Sequence, residues 1–137
     1  MGAVEELLRN EADGSLSFGN HNLKEKAKLD GFQHEGGVFK VKTYAEITKL
    51  ERDGEFVYES VPGTSVNGME ITEAAVSFRV EGNEDAQITL GLAADTEYRV
   101  SVAGEDIGVI KTNLGGKLSF SVELAGSGEV AVSVKKA

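Results

Sequence analysis

The chain has 137 residues, a length that suits one ordinary domain with a single hydrophobic core. With 40% hydrophobic and 27% charged residues it has the composition of a globular protein, and its formal charge of -9 disfavours binding to nucleic acid or anionic membranes. The lack of cysteine and tryptophan excludes disulfides, thiolate metal sites, cysteine catalysis and sugar platforms built on tryptophan.

The first residues of the chain carry a helical pattern. Val4, Leu7 and Leu8 are spaced i, i+3 and i+4 among charged residues, which predicts a short amphipathic helix over about residues 3–11. Because so short a helix is unstable alone in water, its apolar face must dock on the rest of the chain or on a neighbouring subunit. We therefore predict that Val4, Leu7 and Leu8 form an interface.

The same residues show no targeting signal. Glutamates stand where a secretory signal peptide needs a basic start and an apolar run. Nor is any apolar stretch long enough for a membrane-spanning helix. The default expectation is a cytoplasmic protein without membrane contact, and the alternative is export by a route that leaves no signal in the sequence.

From Ser15 onward, apolar and polar residues alternate with a period of two, which is typical of strands. Residues 23–29 read as a strand with one lysine-bearing face, which suits the edge of a sheet. Residues 44–51 fit a helix or a strand, and the hairpin-like turn that follows at 52–55 favours the strand. Two further strands are predicted at residues 38–42 and 56–61.

Pro62, the only proline, marks the one plausible boundary, or seam, between two halves of the chain, at residues 61–65.

Short strands separated by glycine-rich turns follow Pro62, as in antiparallel sandwiches. They are predicted at residues 69–72, 75–80, 86–90, 97–102, 107–111, 118–123 and 129–134. Because each half of the chain is too small to be stable alone, we predict one domain over residues 1–137. It is an all-β antiparallel sandwich, immunoglobulin-like or jelly-roll-like, with roughly nine to eleven strands and the short N-terminal helix.

Residues 92–102 resemble the penultimate strand of fibronectin type III and related immunoglobulin-like sandwiches, and this resemblance extends over residues 66–134. In those folds a tyrosine near the start of the strand hydrogen bonds back to the preceding connection. The resemblance implies this role for Tyr98. Residues 107–124 also resemble the final hairpins of β-sandwich domains that are appended to polysaccharide-processing enzymes.

As a whole, the chain resembles short clostridial proteins that sometimes carry an endosialidase label. Sialidases contain Ser-x-Asp-x-Gly-x-Thr-Trp boxes, which a chain without tryptophan cannot have. The resemblance therefore implies a small bacterial β protein rather than a glycosidase.

Candidate sites for chemistry are few. The acidic pairs at residues 84–85 and 105–106 lie in predicted turns, where carboxylates are ordinarily solvated. The acidic turn at residues 81–85 lacks the spacing of a calcium loop, and His21 and His34 lack a metal-ligand pattern. We therefore predict no catalytic, cofactor or metal site.

The sequence favours a non-enzymatic structural or interaction protein that assembles with copies of itself into a homo-oligomer. The alternative is a carbohydrate-binding or accessory module whose partner is a glycan, because residues 66–134 resemble sandwiches attached to sugar-active enzymes.

Overall fold

Thirteen strands, all paired antiparallel, make up the computed structural model, which describes residues 2–137 and leaves only Met1 of the predicted domain outside the described residues. The strands are β1 (Leu8–Asn10), β2 (Leu16–Phe18), β3 (Ala27–His34), β4 (Gly37–Tyr44), β5 (Ile47–Arg52), β6 (Glu55–Val61), β7 (Ser65–Ile71), β8 (Ala75–Glu81), β9 (Ala86–Gly91), β10 (Glu97–Val102), β11 (Glu105–Lys111), β12 (Lys117–Val122) and β13 (Val130–Lys136). The all-β prediction is confirmed.

The strands form two packed sheets. Sheet A has seven strands in the order β1-β2-β7-β8-β13-β10-β11, and sheet B has six in the order β12-β9-β6-β5-β4-β3. Alternation along each strand sends one set of side chains between the sheets, as in β8, where Val76, Phe78 and Val80 are buried and Ser77 and Arg79 are exposed. The hydrophobic core is the layer between the two sheets.

Aromatic rings lie at the centre of this core. The Tyr58 ring packs edge-to-face against Phe18 at a centroid distance of 5.1 Å and against Phe78 at 5.7 Å. Phe18 and Phe78 belong to sheet A and Tyr58 to sheet B. These contacts join the first part of the chain to its second half.

The predicted N-terminal helix is wrong, and no helix occurs in residues 2–137. Residues 4–7 form a single turn, closed by a 3.0 Å hydrogen bond from the Leu7 N–H to the Val4 carbonyl, and Leu7 has a φ of 73°. Gly19 then bonds to both of them, and β1 pairs with β2. The helical spacing of the apolar residues reflects a turn followed by a strand, because pairing with β2 satisfies backbone groups that so short a helix would leave free.

The predicted strand at residues 23–29 begins later, at Ala27. The preceding residues belong to the connection between β2 and β3, where the Leu23 carbonyl accepts a 2.8 Å hydrogen bond from the Ala45 N–H. β3 does lie at the edge of sheet B. Residues 44–51 are not helical: β4 ends at Tyr44, and β5 begins at Ile47 after a two-residue turn.

Connections collect at two ends of the sheets. The turns β1–β2, β3–β4, β5–β6 and β7–β8 lie at one end, and the connections β2–β3, β4–β5 and β6–β7 lie at the other, because every strand runs antiparallel to its neighbours.

Within residues 2–137 there is no helix of the length and hydrophobicity needed to span a membrane.

Candidate functional site

The three residues predicted to form an interface lie in the first turn and strand. Val4 and Leu8 are 0% and 2% exposed, and Leu8 belongs to the core between the sheets. Leu7 is half-buried against the same core. One chain therefore covers these side chains by itself, and no contact with a neighbour is needed to bury them.

Tyr98 and Pro62 occupy structural positions. The Tyr98 hydroxyl accepts a 3.1 Å hydrogen bond from the backbone N–H of Ala93, in the connection that precedes β10. The Val61–Pro62 peptide bond is cis. Residues 61–65 carry the chain from β6 of sheet B to β7 of sheet A, so this segment links two sheets that share one core.

Two carboxylates from the acidic pairs accept hydrogen bonds from nearby groups, and the second of them, Asp106, lies in β11 rather than in the predicted turn. Asp85 Oδ1 accepts hydrogen bonds of 3.0 and 3.1 Å from two successive backbone N–H groups that follow β12. Asp106 accepts one from the Gly108 N–H at 2.8 Å and one from Arg99 at 2.6 Å. These two interactions, with the Gly108 N–H first, lower the pKa of Asp106. Asp85 thus stabilises the segment that follows β12, and Asp106 stabilises β11 at its bulge.

The two histidines are far apart, since His21 precedes β3 and His34 ends it. His21 Nδ1 lies 2.6 Å from Ser65 Oγ, and burial lowers the pKa of His21. This serine and histidine are both buried, so a substrate cannot reach the hydroxyl and the pair serves the fold. Across residues 2–137, no three side chains of His, Asp or Glu come together as a metal site.

The outer surface of sheet B carries a group of four lysines, which we call the lysine face: Lys28, Lys40, Lys42 and Lys49. Lys28 lies directly opposite Lys42, and Lys42 lies directly opposite Lys49, on three neighbouring strands. Since neighbouring strands are about 4.8 Å apart, the three lysines follow one another across the sheet. Together with Glu51, the lysine face lines a shallow depression of about 110 Å³.

A cleft, which we call the end cleft, opens between the sheets near the β5–β6 turn. Its two adjoining parts have volumes of about 200 and 330 Å³ and share Arg52, Met69 and Ile71 in their walls. The Arg52 guanidinium lies 5.9 Å from the Phe39 ring centroid, and its Nε lies 3.8 Å from Asp53 Oδ2. The end cleft therefore combines an apolar floor with charged groups at its rim.

The edge of sheet B formed by β12 has free backbone groups. β12 pairs with β9 without a register shift, and the Leu92 N–H donates a 2.7 Å hydrogen bond to the Gly116 carbonyl at the start of this ladder. In an antiparallel ladder such bonds recur at every second residue. The even-numbered residues of β12 thus bond to β9, and the N–H and C=O groups of Ser119 and Ser121 point away from the sheet.

The three other sheet edges in the described part of the chain are short or bent. β1 has only three residues, and β3 has a bulge between Leu29 and Phe32. β11 has a bulge opposite Val100 and Ser101 and carries acidic residues at its start. Short edges, bulges and charges each discourage pairing with another chain. β12 has no bulge and is six residues long.

The sequence predicted the three strands that carry these lysines, but it showed neither that their lysines stand opposite one another nor that β12 is a sheet edge. The alternation of Lys40 and Lys42 with apolar residues was visible, but which lysine stands opposite which is set by the register. No protein-family model, no curated protein and no solved structure matches this chain.

Proposed function

We propose that this protein is a non-enzymatic structural or interaction protein that assembles into a homo-oligomer through β12. β12 pairs with β9 on one side without a register shift and has no partner strand on its other side. This free edge is the observation on which the proposal rests. In this assembly the two sheets form an immunoglobulin-like or jelly-roll-like sandwich, and sheet B continues into sheet B of a second copy.

An antiparallel pairing of β12 with itself, centred on Phe120, brings complementary groups together. Ser119 then lies opposite Ser121 of the second copy, and such a pair exchanges both of its backbone hydrogen bonds. Lys117 lies opposite Glu123 of the second copy, so opposite charges meet at both ends of the ladder. In this register each group of β12 meets a complementary group of the same segment. A second copy of this chain is therefore the favoured partner of the free edge.

The strength of this contact follows from its chemistry. Each hydrogen bond of the new ladder replaces bonds to water, so its net contribution is about 1 kcal/mol. The exposed side chains of the strand are serines and a lysine, which add little apolar area. We therefore expect an association that depends on protein concentration rather than an obligate oligomer.

The first test of the β12 edge is the variant Ser119→Pro. Because the Ser119 N–H points away from β9, proline removes a donor of the edge without breaking a ladder bond inside the sheet. Sedimentation equilibrium over a concentration series should give wild-type protein twice the monomer mass of 14.5 kDa at high concentration. The variant should remain a monomer at the same concentration.

Charge exchange provides the matched control for this prediction. Lys117→Glu and Glu123→Lys should each weaken the dimer, and the double variant should restore it. Lys135→Glu makes the same charge change on the outer surface of sheet A and should leave the dimer unaffected. A wild-type protein that is monomeric at every concentration, or a dimer that persists in Ser119→Pro, contradicts the proposal.

A carbohydrate-binding module is the second candidate function, and the end cleft favours it. Its larger part has apolar walls that include Phe56 and Val57, and a charged rim that includes Arg52, Asp53 and Glu55. Sugar rings present apolar faces and hydroxyl groups, so they need this combination of apolar contact and hydrogen-bonding groups. The carboxylates at the rim are also oxygen ligands of the kind that calcium takes.

A glycan array, probed with and without calcium, tests the second candidate. Binding to a short oligosaccharide is expected, together with its loss in Arg52→Ala, which removes a group shared by both parts of the end cleft. Arg99→Ala is the control, because it removes an exposed arginine of sheet A. If no oligosaccharide binds under either condition, the end cleft is not a sugar site.

A further inference from the structure

We infer that the lysine face binds a linear acidic polysaccharide, a polymer that carries a carboxylate or a sulfate on successive sugar units. The site is built on β3, β4 and β5 and lies away from the β12 edge of sheet B. This inference therefore goes beyond self-association and does not depend on it.

The arrangement of the lysines has a cost in the free protein. Like charges directly opposite each other on adjacent strands are destabilising. The lysine face has two such pairs, Lys28 with Lys42 and Lys42 with Lys49. In a chain with 23 acidic and 14 basic residues, this concentration of positive charge departs from the balance of the whole surface. Local arrangements that cost stability are expected where a ligand completes them.

Protection of the sheet edge explains only one of these lysines. Lysines on an edge strand discourage pairing with other chains, and β3 is such a strand. Lys42 and Lys49 stand on β4 and β5, which have hydrogen-bonded neighbours on both sides. Edge protection therefore does not explain these two charges, and Lys42, which has a lysine opposite it on each side, is the one that an anionic ligand balances.

Two carboxylates define the limits of the positive surface. Glu51 lies opposite Lys40, and its Oε2 lies 3.7 Å from the Lys49 Nζ. Glu59 lies opposite Lys49 on β6 and ends the row of lysines there. The depression itself is lined by four lysines and one glutamate, so its formal charge is +3. The row is open at the free edge of β3, where a polymer can continue beyond the sheet.

The shape of the site favours an extended polymer. A depression of about 110 Å³ is too small and too shallow to enclose a drug-sized molecule, but it lies along a flat sheet surface. Anionic groups on successive units of a chain laid across the strands meet one lysine after another. Single-stranded nucleic acid is also a polyanion, but its binding sites add aromatic rings for base stacking, and none lines this depression.

The test uses wild-type protein and immobilised polymers at low salt. Polygalacturonate and dextran sulfate should retain the protein, and uncharged dextran should not. The variant Lys42→Gln/Lys49→Gln should bind both acidic polymers at least tenfold more weakly, and binding of the wild-type protein should decrease as salt is added. The melting temperature of Lys42→Gln/Lys49→Gln should equal or exceed that of the wild type, because two like-charge pairs are removed.

The control variant Lys135→Gln/Lys136→Gln makes the same charge change on β13 and should bind like the wild type. An equal loss of binding in Lys42→Gln/Lys49→Gln and in this control variant indicates attraction by overall charge and contradicts the proposed binding site. So does the absence of retention, or a stronger retention on polythymidine than on either polysaccharide. Ser119→Pro should bind the acidic polymers normally, so failure of the β12 proposal and failure of this one give different results.

Discussion

Replacing Leu8 by alanine is expected to lower the free energy of unfolding by about 3 kcal/mol, and by the same amount at every protein concentration. Leu8 is buried in the core and stands opposite Phe18 in the β1–β2 ladder. The substitution removes apolar atoms and leaves a cavity between the sheets. A residue buried within one chain changes the folding of that chain, whereas an interface residue changes association.

Urea unfolding followed by tyrosine fluorescence measures this effect, since the chain has three tyrosines and no tryptophan. Leu114→Ala is the matched control: Leu114 is 85% exposed, and its replacement should change stability by less than about 0.5 kcal/mol. If Leu8→Ala unfolds at the wild-type urea concentration but reduces the oligomer mass, Leu8 is an interface residue and the prediction fails.

Strands with strict alternation could be predicted from the sequence. In β8 and β10 every second residue is apolar and packs against the core, because the side chains of a strand point alternately to its two faces. This alternation is a local property of the sequence, so it does not depend on which strands become neighbours in the sheet. The predictions at residues 75–80 and 97–102 therefore differ from the observed strands by at most one residue.

The N-terminal segment could not be predicted in this way, because its conformation depends on a distant partner. The turn at residues 4–7 is held by bonds to Gly19, and Leu7 takes a left-handed backbone conformation that is uncommon for leucine. A pattern of three apolar residues cannot distinguish this turn from one helical face. Hydrogen bonds to a residue distant in the sequence therefore outweighed the local preference for a helix that the apolar spacing indicates.

The candidate surfaces depend even more on non-local pairing. That β12 is an edge follows from the order of six strands drawn from residues 27–122, and no local pattern contains that order. The lysine face likewise arises only when Lys28, Lys42 and Lys49 come into register. The sequence shows which strands carry lysine, but the sheet decides that these lysines face one another.

A group of buried hydroxyls fills the space where β6 passes to β7. Thr64 is fully buried, and its Oγ1 lies 2.7 Å from the Tyr58 hydroxyl and 2.7 Å from Ser60 Oγ. Burial raises the pKa of Tyr58, so this hydroxyl keeps its proton and needs an acceptor. The side chain of Thr64 therefore joins two hydroxyls that have no access to water.

The backbone of Thr64 is bound into the same group. Thr48 Oγ1 donates to the Thr64 carbonyl at 2.7 Å and accepts from the Thr64 N–H at 3.1 Å. Because the one proton of Thr48 goes to that carbonyl, the 2.8 Å bond between Thr43 and Thr48 must have Thr43 as its donor. These bonds fix the connection between the sheets at its entry into β7.

Thr64→Val is expected to lower the free energy of unfolding by about 2 kcal/mol, because valine has the same shape but lacks the buried hydroxyl that lies 2.7 Å from those of Tyr58 and Ser60. Tyr58→Phe should lose only about 1 kcal/mol, since it removes a hydroxyl instead of leaving one unpaired. The double variant should then lose less than the sum of the single variants. Urea unfolding followed by circular dichroism measures all three, and strictly additive losses would show that Thr64 and Tyr58 do not interact.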